Sequence, residues 1–213
     1  MNSSRRFYKK MNKVMGVGIN DLDEVVGRYV DGKWVINPYY KTWRSMLTRC
    51  YGELYSKKRV TYNGCVVCDE WIYLSNFKAW MEEQNWKGKQ LDKDLLFEHN
   101  KLYSPETCVF VSSEVNSSLL LSSRIRGVNP VGVSFSESEN RFIATCCNGK
   151  GKQVKLGRFS SNNDAHRAWQ QYKLKLFITL QAKQTCSRTK AGLQRVIDKL
   201  TNHIEQGIET KSL

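Results

Sequence analysis

Residues 131–159, VGVSFSESENRFIATCCNGKGKQVKLGRF, contain three short segments of alternating character. The intervening ESEN and GKG have the composition of turns, so the stretch predicts three strands in a meander. Side chains alternate between the two faces of a strand. In the middle strand, Phe142, Ala144 and Cys146 are expected on one face. The opposite face is expected to carry Arg141, Ile143, Thr145 and Cys147.

An amphipathic helix is predicted directly after these strands, over residues 160–181. Its apolar positions recur at helical spacing. They are Ala165, Ala168, Trp169, Tyr172 and Leu176. Because Ala144, Ala165 and Ala168 are small, we expect the helix and the sheet to approach closely. A further helix is predicted over residues 191–206.

The sequence of residues 1–121 predicts helices and one polar hairpin. Helical spacing of apolar residues appears in 38–51 and again from Ser75, which is a candidate N-cap. Residues 89–96 and 107–112 read as two strands, and a helix capped by Ser112 or Ser113 follows.

These patterns predict an α+β protein. Residues 1–121 are expected to form one domain, and 122–130 has the composition of a linker. Residues 131–183 are expected to form a three-stranded antiparallel sheet packed on one helix, with a C-terminal helical tail over 184–213.

The charge favours a polyanionic partner. Thirty-four Lys and Arg residues against twenty Asp and Glu residues give +14. Residues 1–126 and 127–185 each carry about +6, so the positive charge is not confined to one tail. Basic side chains release condensed counterions when they bind nucleic acid. No apolar run approaches the roughly 20 residues of a membrane helix, and no signal peptide is expected.

Residues 131–173 resemble the plant APETALA-type DNA-binding domain in its phage and bacterial form. The resemblance rests on Gly132-Val133, Phe142-x-Ala144, Leu156-Gly157-x-Phe159 and Ala165-x-x-Ala168-Trp169. It implies that the sheet lies in the major groove of double-stranded DNA. We expect its outward face, which includes Arg141, to carry the contacts. The family's contact positions fall on Ser134, Ser136, Thr145, Cys147, Lys155 and Arg158.

Residues 14–121 resemble the HNH-like proteins of tailed phages, many of which are free-standing homing endonucleases. The resemblance rests on GVGIND, YYKTWRSMLTRCY, VVCDEW, NFKAWM, LDKD and YSPETCVFVSSEVN. It implies a ββα fold that holds one divalent cation such as Mg²⁺, with Asp92 and Asn116 as ligands. It also implies a phage protein that acts in the host cytoplasm, with no small-molecule substrate.

Lys93 occupies the position where this family usually has a catalytic histidine. Lysine is a poor base at neutral pH because its ordinary pKa is near 10.4. Lys93 could contact phosphate while His99 supplies the base, or Asp94 could position a water. The third alternative is a decayed site in a protein that only binds DNA. We expect a metal-dependent endonuclease that recognises a DNA sequence.

The seven cysteines are expected to be reduced thiols. Cys65-x-x-Cys68 supplies half of a four-thiolate zinc site, and Cys50 and Cys108 could complete it. Because Cys50 and Cys108 do not form a second CxxC pair, and apolar residues flank Cys108, we expect buried thiols rather than structural zinc.

Overall fold

The computed structural model describes residues 13–53, 60–121 and 128–213. These residues form helices and several small sheets, which confirms the predicted α+β class. They belong to two compact units, one drawn from residues 1–85 and 100–106 and the other from 86–99 and 107–213. Within the described ranges, no helix is long and apolar enough to span a bilayer.

The first unit contains a two-stranded antiparallel hairpin. Strands β1 (Gly27–Val30) and β2 (Lys33–Ile36) pair in register on either side of a two-residue turn. Asp31 and Gly32 both have positive φ, 49° and 74°. A type I′ turn needs positive φ at both central residues, so the Asp-Gly pair suits this connection.

Helix α1 (Pro38–Tyr51) follows the hairpin and has the predicted range. The Asn37 side chain accepts a hydrogen bond from the Tyr39 amide at 3.0 Å. Pro38 stands in the first turn, where the missing amide hydrogen costs nothing. Trp43 is buried, and its indole Nε1 donates to the Trp71 carbonyl oxygen at 2.7 Å.

Helix α2 (Leu74–Glu82) is capped from a distant segment, so the prediction of Ser75 as its N-cap is wrong. Ser75 lies inside the first turn, and the carboxylate of Asp21 accepts from its amide at 2.9 Å and from its hydroxyl at 2.5 Å. A carboxylate at a helix N-terminus satisfies amides without an intrahelical partner and complements the helix dipole. Elsewhere in this unit, β3 (Val66–Val67) pairs in parallel with β5 (Leu102–Tyr103).

The second unit begins with the polar hairpin. Strands β4 (Gln90–Asp92) and β6 (Val109–Val111) pair antiparallel, and helix α3 (Ser113–Leu119) follows directly. The Ser112 hydroxyl accepts from the Val115 amide at 3.2 Å, which makes Ser112 the N-cap. The helix begins at one of the two predicted caps, whereas the strands cover only 90–92 and 109–111 of the predicted 89–96 and 107–112.

The same unit contains the sheet of β7 (Val133–Ser136), β8 (Arg141–Cys147) and β9 (Gln153–Phe159), in that order and antiparallel. Helix α4 (Asn162–Ala182) packs on one face, where Val133, Ala144 and Ala165 form a buried cluster. Gly132 has φ 79°, and a Cβ there would lie 2.0 Å from Cδ1 of Trp169. Only glycine lets the chain enter β7 against this indole.

Helix α5 (Ser187–Gln206) covers most of the predicted C-terminal tail and contributes to the core of the second unit. Leu193, Val196 and Leu200 are fully buried in the cluster that contains Leu95 and Trp169. Leu95 and Leu96 pack in this cluster against helix α5, and residues 86–99 belong to the second compact unit. The predicted domain ranges stay a prediction. Most of the predicted linker, residues 122–127, lies outside the described residues.

Candidate nucleic-acid interface and candidate metal site

The face of the β7–β9 sheet opposite helix α4 carries the predicted DNA-contacting residues. The strand register pairs Ser134 with Ile143, Ser136 with Arg141, and Thr145 with Lys155. Partners in register project to the same side of an antiparallel sheet. The structure therefore brings together on one face Ser134, Ser136, Arg141, Thr145, Cys147, Lys155 and Arg158.

A β-bulge in β9 places Arg158 on this face. Thr145 pairs with Lys155, but the preceding Ala144 pairs with Gly157, so β9 contains one residue more than β8 at this point. Lys155 and Arg158 are three positions apart and would project to opposite faces of a regular strand. The extra residue restores the alternation and aligns both cations on the exposed side.

The cations of this face differ in their electrostatic partners. Lys155 is exposed and makes no ion pair with any described residue. The guanidinium of Arg158 is ion-paired with Glu139 of the β7–β8 turn, and its Nη2 donates to Glu139 Oε1 at 3.2 Å. Arg141 is also exposed, and its Nη1 donates to the Asn140 carbonyl oxygen at 3.2 Å.

Helix α3 supports the sheet from within the same unit. The Ser117 hydroxyl donates to the Gly149 carbonyl oxygen in the β8–β9 turn at 2.6 Å. The buried ammonium of Lys173 on α4 donates to the Ser118 carbonyl oxygen, and burial lowers the pKa of Lys173. Sequence reasoning missed Lys173, although it occurs four residues from both Trp169 and Phe177 on the buried side of the helix.

Asp92 ends strand β4, and its carboxylate turns back toward its own backbone. Oδ1 accepts from the Asp94 amide at 3.0 Å and from the Leu95 amide at 2.7 Å. Burial raises the pKa of Asp92 despite these two bonds, and the neighbouring Asp94 carboxylate adds to the rise. A cation would oppose both effects because it stabilises the ionised carboxylate.

Asn116 on α3 reaches the strand that carries Asp92. Its Nδ2 donates to Gln90 Oε1 at 2.6 Å. Gln90 and Asp92 are two positions apart on β4 and project to the same side. Sequence reasoning did not include Gln90. Among the described residues, no three His, Cys, Asp or Glu side chains lie close enough together to hold a metal ion.

The candidate catalytic residues have different environments. The Lys93 side chain is buried, and its ammonium lies 2.6 Å from Asp94 Oδ1. The His99 side chain is 76% exposed, and its Nε2 lies 3.3 Å from Glu98 Oε1. His99 also has a positive φ of 59°, typical of a turn residue.

Glu98 is the centre of an ion-pair network that sequence reasoning missed. Its Oε1 accepts from Lys199 Nζ and from the Ser212 hydroxyl, both at 2.5 Å. Arg195 Nη1 lies 3.4 Å from Oε2. Burial alone would raise the pKa of Glu98, but these hydrogen bonds and cations lower it overall. The partners are about one hundred positions away, so no local pattern indicates the network.

The cysteines considered for zinc are buried or half-buried. Cys65 and Cys108 are almost fully buried. Burial raises the pKa of the Cys68 thiol to about 11. The absence of structural zinc stays a prediction.

Comparison of the chain with protein-family models, curated proteins and solved structures finds no match. The two resemblances noted in the sequence therefore stay predictions.

Proposed function

We propose that this chain is a double-stranded DNA-binding protein that recognises its target with the exposed face of β7–β9. The observation that carries the proposal is the common orientation of Arg141, Lys155 and Arg158 on that face. The opposite face is closed by α4, so only the polar and basic face is available to a ligand.

The chemistry of this face suits the major groove. Arginine and lysine pair with guanine O6 and N7, while serine and threonine hydroxyls contact several bases. Ser134, Ser136 and Thr145 lie among the three cations and add hydroxyls at strand spacing. The net positive charge of the chain supplies the long-range attraction to phosphate.

The test measures binding of the full chain to labelled duplexes chosen from a random pool. We expect affinity to fall steeply with salt, and Lys155→Ala to reduce the salt slope by about 1 if this lysine contacts phosphate. Lys175→Ala is the matched control, because Lys175 is exposed on α4 rather than on the sheet face. Absence of salt-dependent binding, or equal effects of both substitutions, would refute the proposal.

A second candidate function is metal-dependent cleavage of DNA by a phage-type HNH homing endonuclease. It is favoured by the Asn116–Gln90 hydrogen bond, because Gln90 and Asp92 share one side of β4. Both amide bonds to Asp92 use Oδ1, so Oδ2 is the oxygen that a divalent ion would take. Aspartate and asparagine oxygens are suitable ligands for Mg²⁺, which would neutralise charge on the phosphate.

The cleavage test uses a selected duplex and a supercoiled plasmid with Mg²⁺ or Mn²⁺. Asp92→Ala should abolish nicking while binding is retained, because the loss of a carboxylate relieves repulsion from phosphate. A large loss of cleavage rate in His99→Ala would identify this exposed imidazole as the general base. If the wild type binds the duplex but leaves it intact with both metals, the chain is the non-catalytic alternative, a regulatory DNA-binding protein.

A further inference from the structure

The β1–β2 hairpin of the first unit exposes two aromatic rings that pack against each other. Tyr29 and Trp34 are paired in register, 74% and 51% exposed, with ring centroids 5.1 Å apart in an edge-to-face arrangement. Large aromatic side chains are normally drawn into a core, so an exposed pair indicates an interaction site.

The backbone beneath the rings holds Trp34 in one orientation. A Cβ on Gly27 would lie 2.8 Å from two atoms of the Trp34 indole, so the ring lies directly on the glycine. The indole is held between Gly27 and the edge of Tyr29, and about half of the Trp34 surface stays accessible. A side chain that is ordered before binding loses little entropy when a ligand stacks on it.

A basic groove of about 230 Å³ in the same unit is lined by β2 and helix α1. Ile36 belongs to its wall and projects to the same side of β2 as Trp34, two positions earlier. The rest of the described lining comes from helix α1, with Lys41, Arg44 and Arg49 as its cations and no carboxylate. Lys41 and Arg44 form no ion pair with any described residue.

We propose that this hairpin and groove form a second nucleic-acid surface, which binds a strand with unpaired bases. Bases stack on Trp34 and Tyr29, and the phosphates lie along Lys41 and Arg44. The groove cations favour a polyanionic ligand. The exposed rings favour bases with accessible faces, which single strands offer and intact duplexes do not. This inference does not depend on the duplex-binding function proposed for the β7–β9 face.

Oligo(dT) and oligo(rU) serve as probes with the full chain, because neither forms a duplex with itself. Trp34→Ala should weaken binding about fivefold or more, the loss expected for one stacked base. Trp34→Phe keeps a ring and should retain most of the affinity. Arg44→Ala should reduce the salt slope by about 0.7, the value for one phosphate contact to a single strand.

Two exposed residues of the second unit give matched controls. Phe97→Ala removes an exposed ring and Lys175→Ala removes an exposed cation, and neither should change oligomer binding. Lys155→Ala should weaken duplex binding and leave oligomer binding unchanged. The two measurements therefore test the β7–β9 face and the hairpin surface independently of each other. Circular dichroism of each variant checks that the helices remain folded.

Binding of either oligomer that Trp34→Ala weakens supports the proposal, and the two probes show whether deoxyribose or ribose is preferred. The proposal is overturned if wild-type protein binds neither oligomer, or if Trp34→Ala and Phe97→Ala behave alike. It is also overturned if sedimentation shows wild-type self-association that Trp34→Ala abolishes, because the hairpin would then be a contact between two copies.

Discussion

The Glu139 carboxylate is bound to the Arg158 guanidinium at the edge of the exposed sheet face. Glu139 lies in the turn between β7 and β8, whereas Arg158 follows the bulge in β9. Arg158 is one of the three cations on the proposed DNA-binding face, and in the free protein it is already ion-paired with a carboxylate.

Glu139→Gln should increase affinity for duplex DNA about threefold or more. The substitution removes a negative charge near phosphate and releases Arg158 from an exposed ion pair that contributes little to folding. Fluorescence anisotropy at constant salt measures the change. Glu137→Gln removes the same charge from the same turn and leaves the Arg158 pair intact, so equal gains in both variants would contradict a specific role for Glu139.

Gly132→Ala should destabilise the protein by about 3 kcal/mol or more, because it adds a clash with Trp169 to the cost of positive φ. Gly151→Ala is the control, since Gly151 has φ 78° but a Cβ added there would meet no atom within 4 Å. It should cost only about 1 kcal/mol. Chemical denaturation compares the two, and similar losses would disprove the importance of the Trp169 contact.

Stability should decrease with acid in a way that depends on Glu98. The pKa of Glu98 is lowered from its ordinary value of 4.5, so the unfolded chain binds its proton at a higher pH than the folded chain does. The contribution of Glu98 is complete above about pH 4.5 and is lost as the pH falls through the lowered folded value.

Glu98→Gln should therefore reduce stability at neutral pH by about 1 kcal/mol and flatten the acid limb of the stability curve. Glu205→Gln on the exposed side of α5 should leave that limb unchanged. Urea unfolding between neutral pH and pH 3 provides the measurement. An identical acid limb in wild type and Glu98→Gln would show that other carboxylates control acid unfolding.

Divalent cations should stabilise the wild type against heat if Asp92 is a metal ligand, because a ligand that binds only the folded state raises its stability. Asp92→Asn keeps an oxygen for the Asp94 and Leu95 amides but loses the charge, so its melting temperature should not respond to Mg²⁺ or Mn²⁺. Asp198→Asn, at an exposed position of α5, controls for the loss of one carboxylate away from the site. A wild type without any response to either metal would speak against the site.

Elements determined by short-range signals could be predicted from the sequence. Helix α1 begins after Asn37, with Pro38 in its first turn, and its extent follows the spacing of its apolar residues. Helix α3 begins after Ser112, whose hydroxyl accepts a hydrogen bond from the nearby Val115 amide. The prediction of Ser75 as an N-cap is wrong because the first turn of α2 is capped by the carboxylate of Asp21, which is 54 positions away. A cap supplied by tertiary structure leaves no mark in the neighbouring sequence.

The candidate sites were predictable to different degrees. Alternation indicated the outward orientation of Thr145 and Lys155, whereas Arg158 depends on a bulge that results from pairing with β8. The aromatic hairpin was overlooked despite its Asp31-Gly32 turn signal. The burial of Lys93 against Asp94 could not be foreseen, because it depends on how other segments cover the hairpin.

The extra residue in β9 also limits how this chain can diversify. Losing or gaining one residue between Lys155 and Arg158 would exchange the helix-facing and solvent-facing sets over the rest of the strand. Replacing an outward side chain leaves the buried cluster of Val133, Ala144 and Ala165 untouched. New binding preferences are therefore accessible through substitutions at constant strand length, and libraries for altered specificity should vary the outward positions while keeping the spacing of β9 fixed.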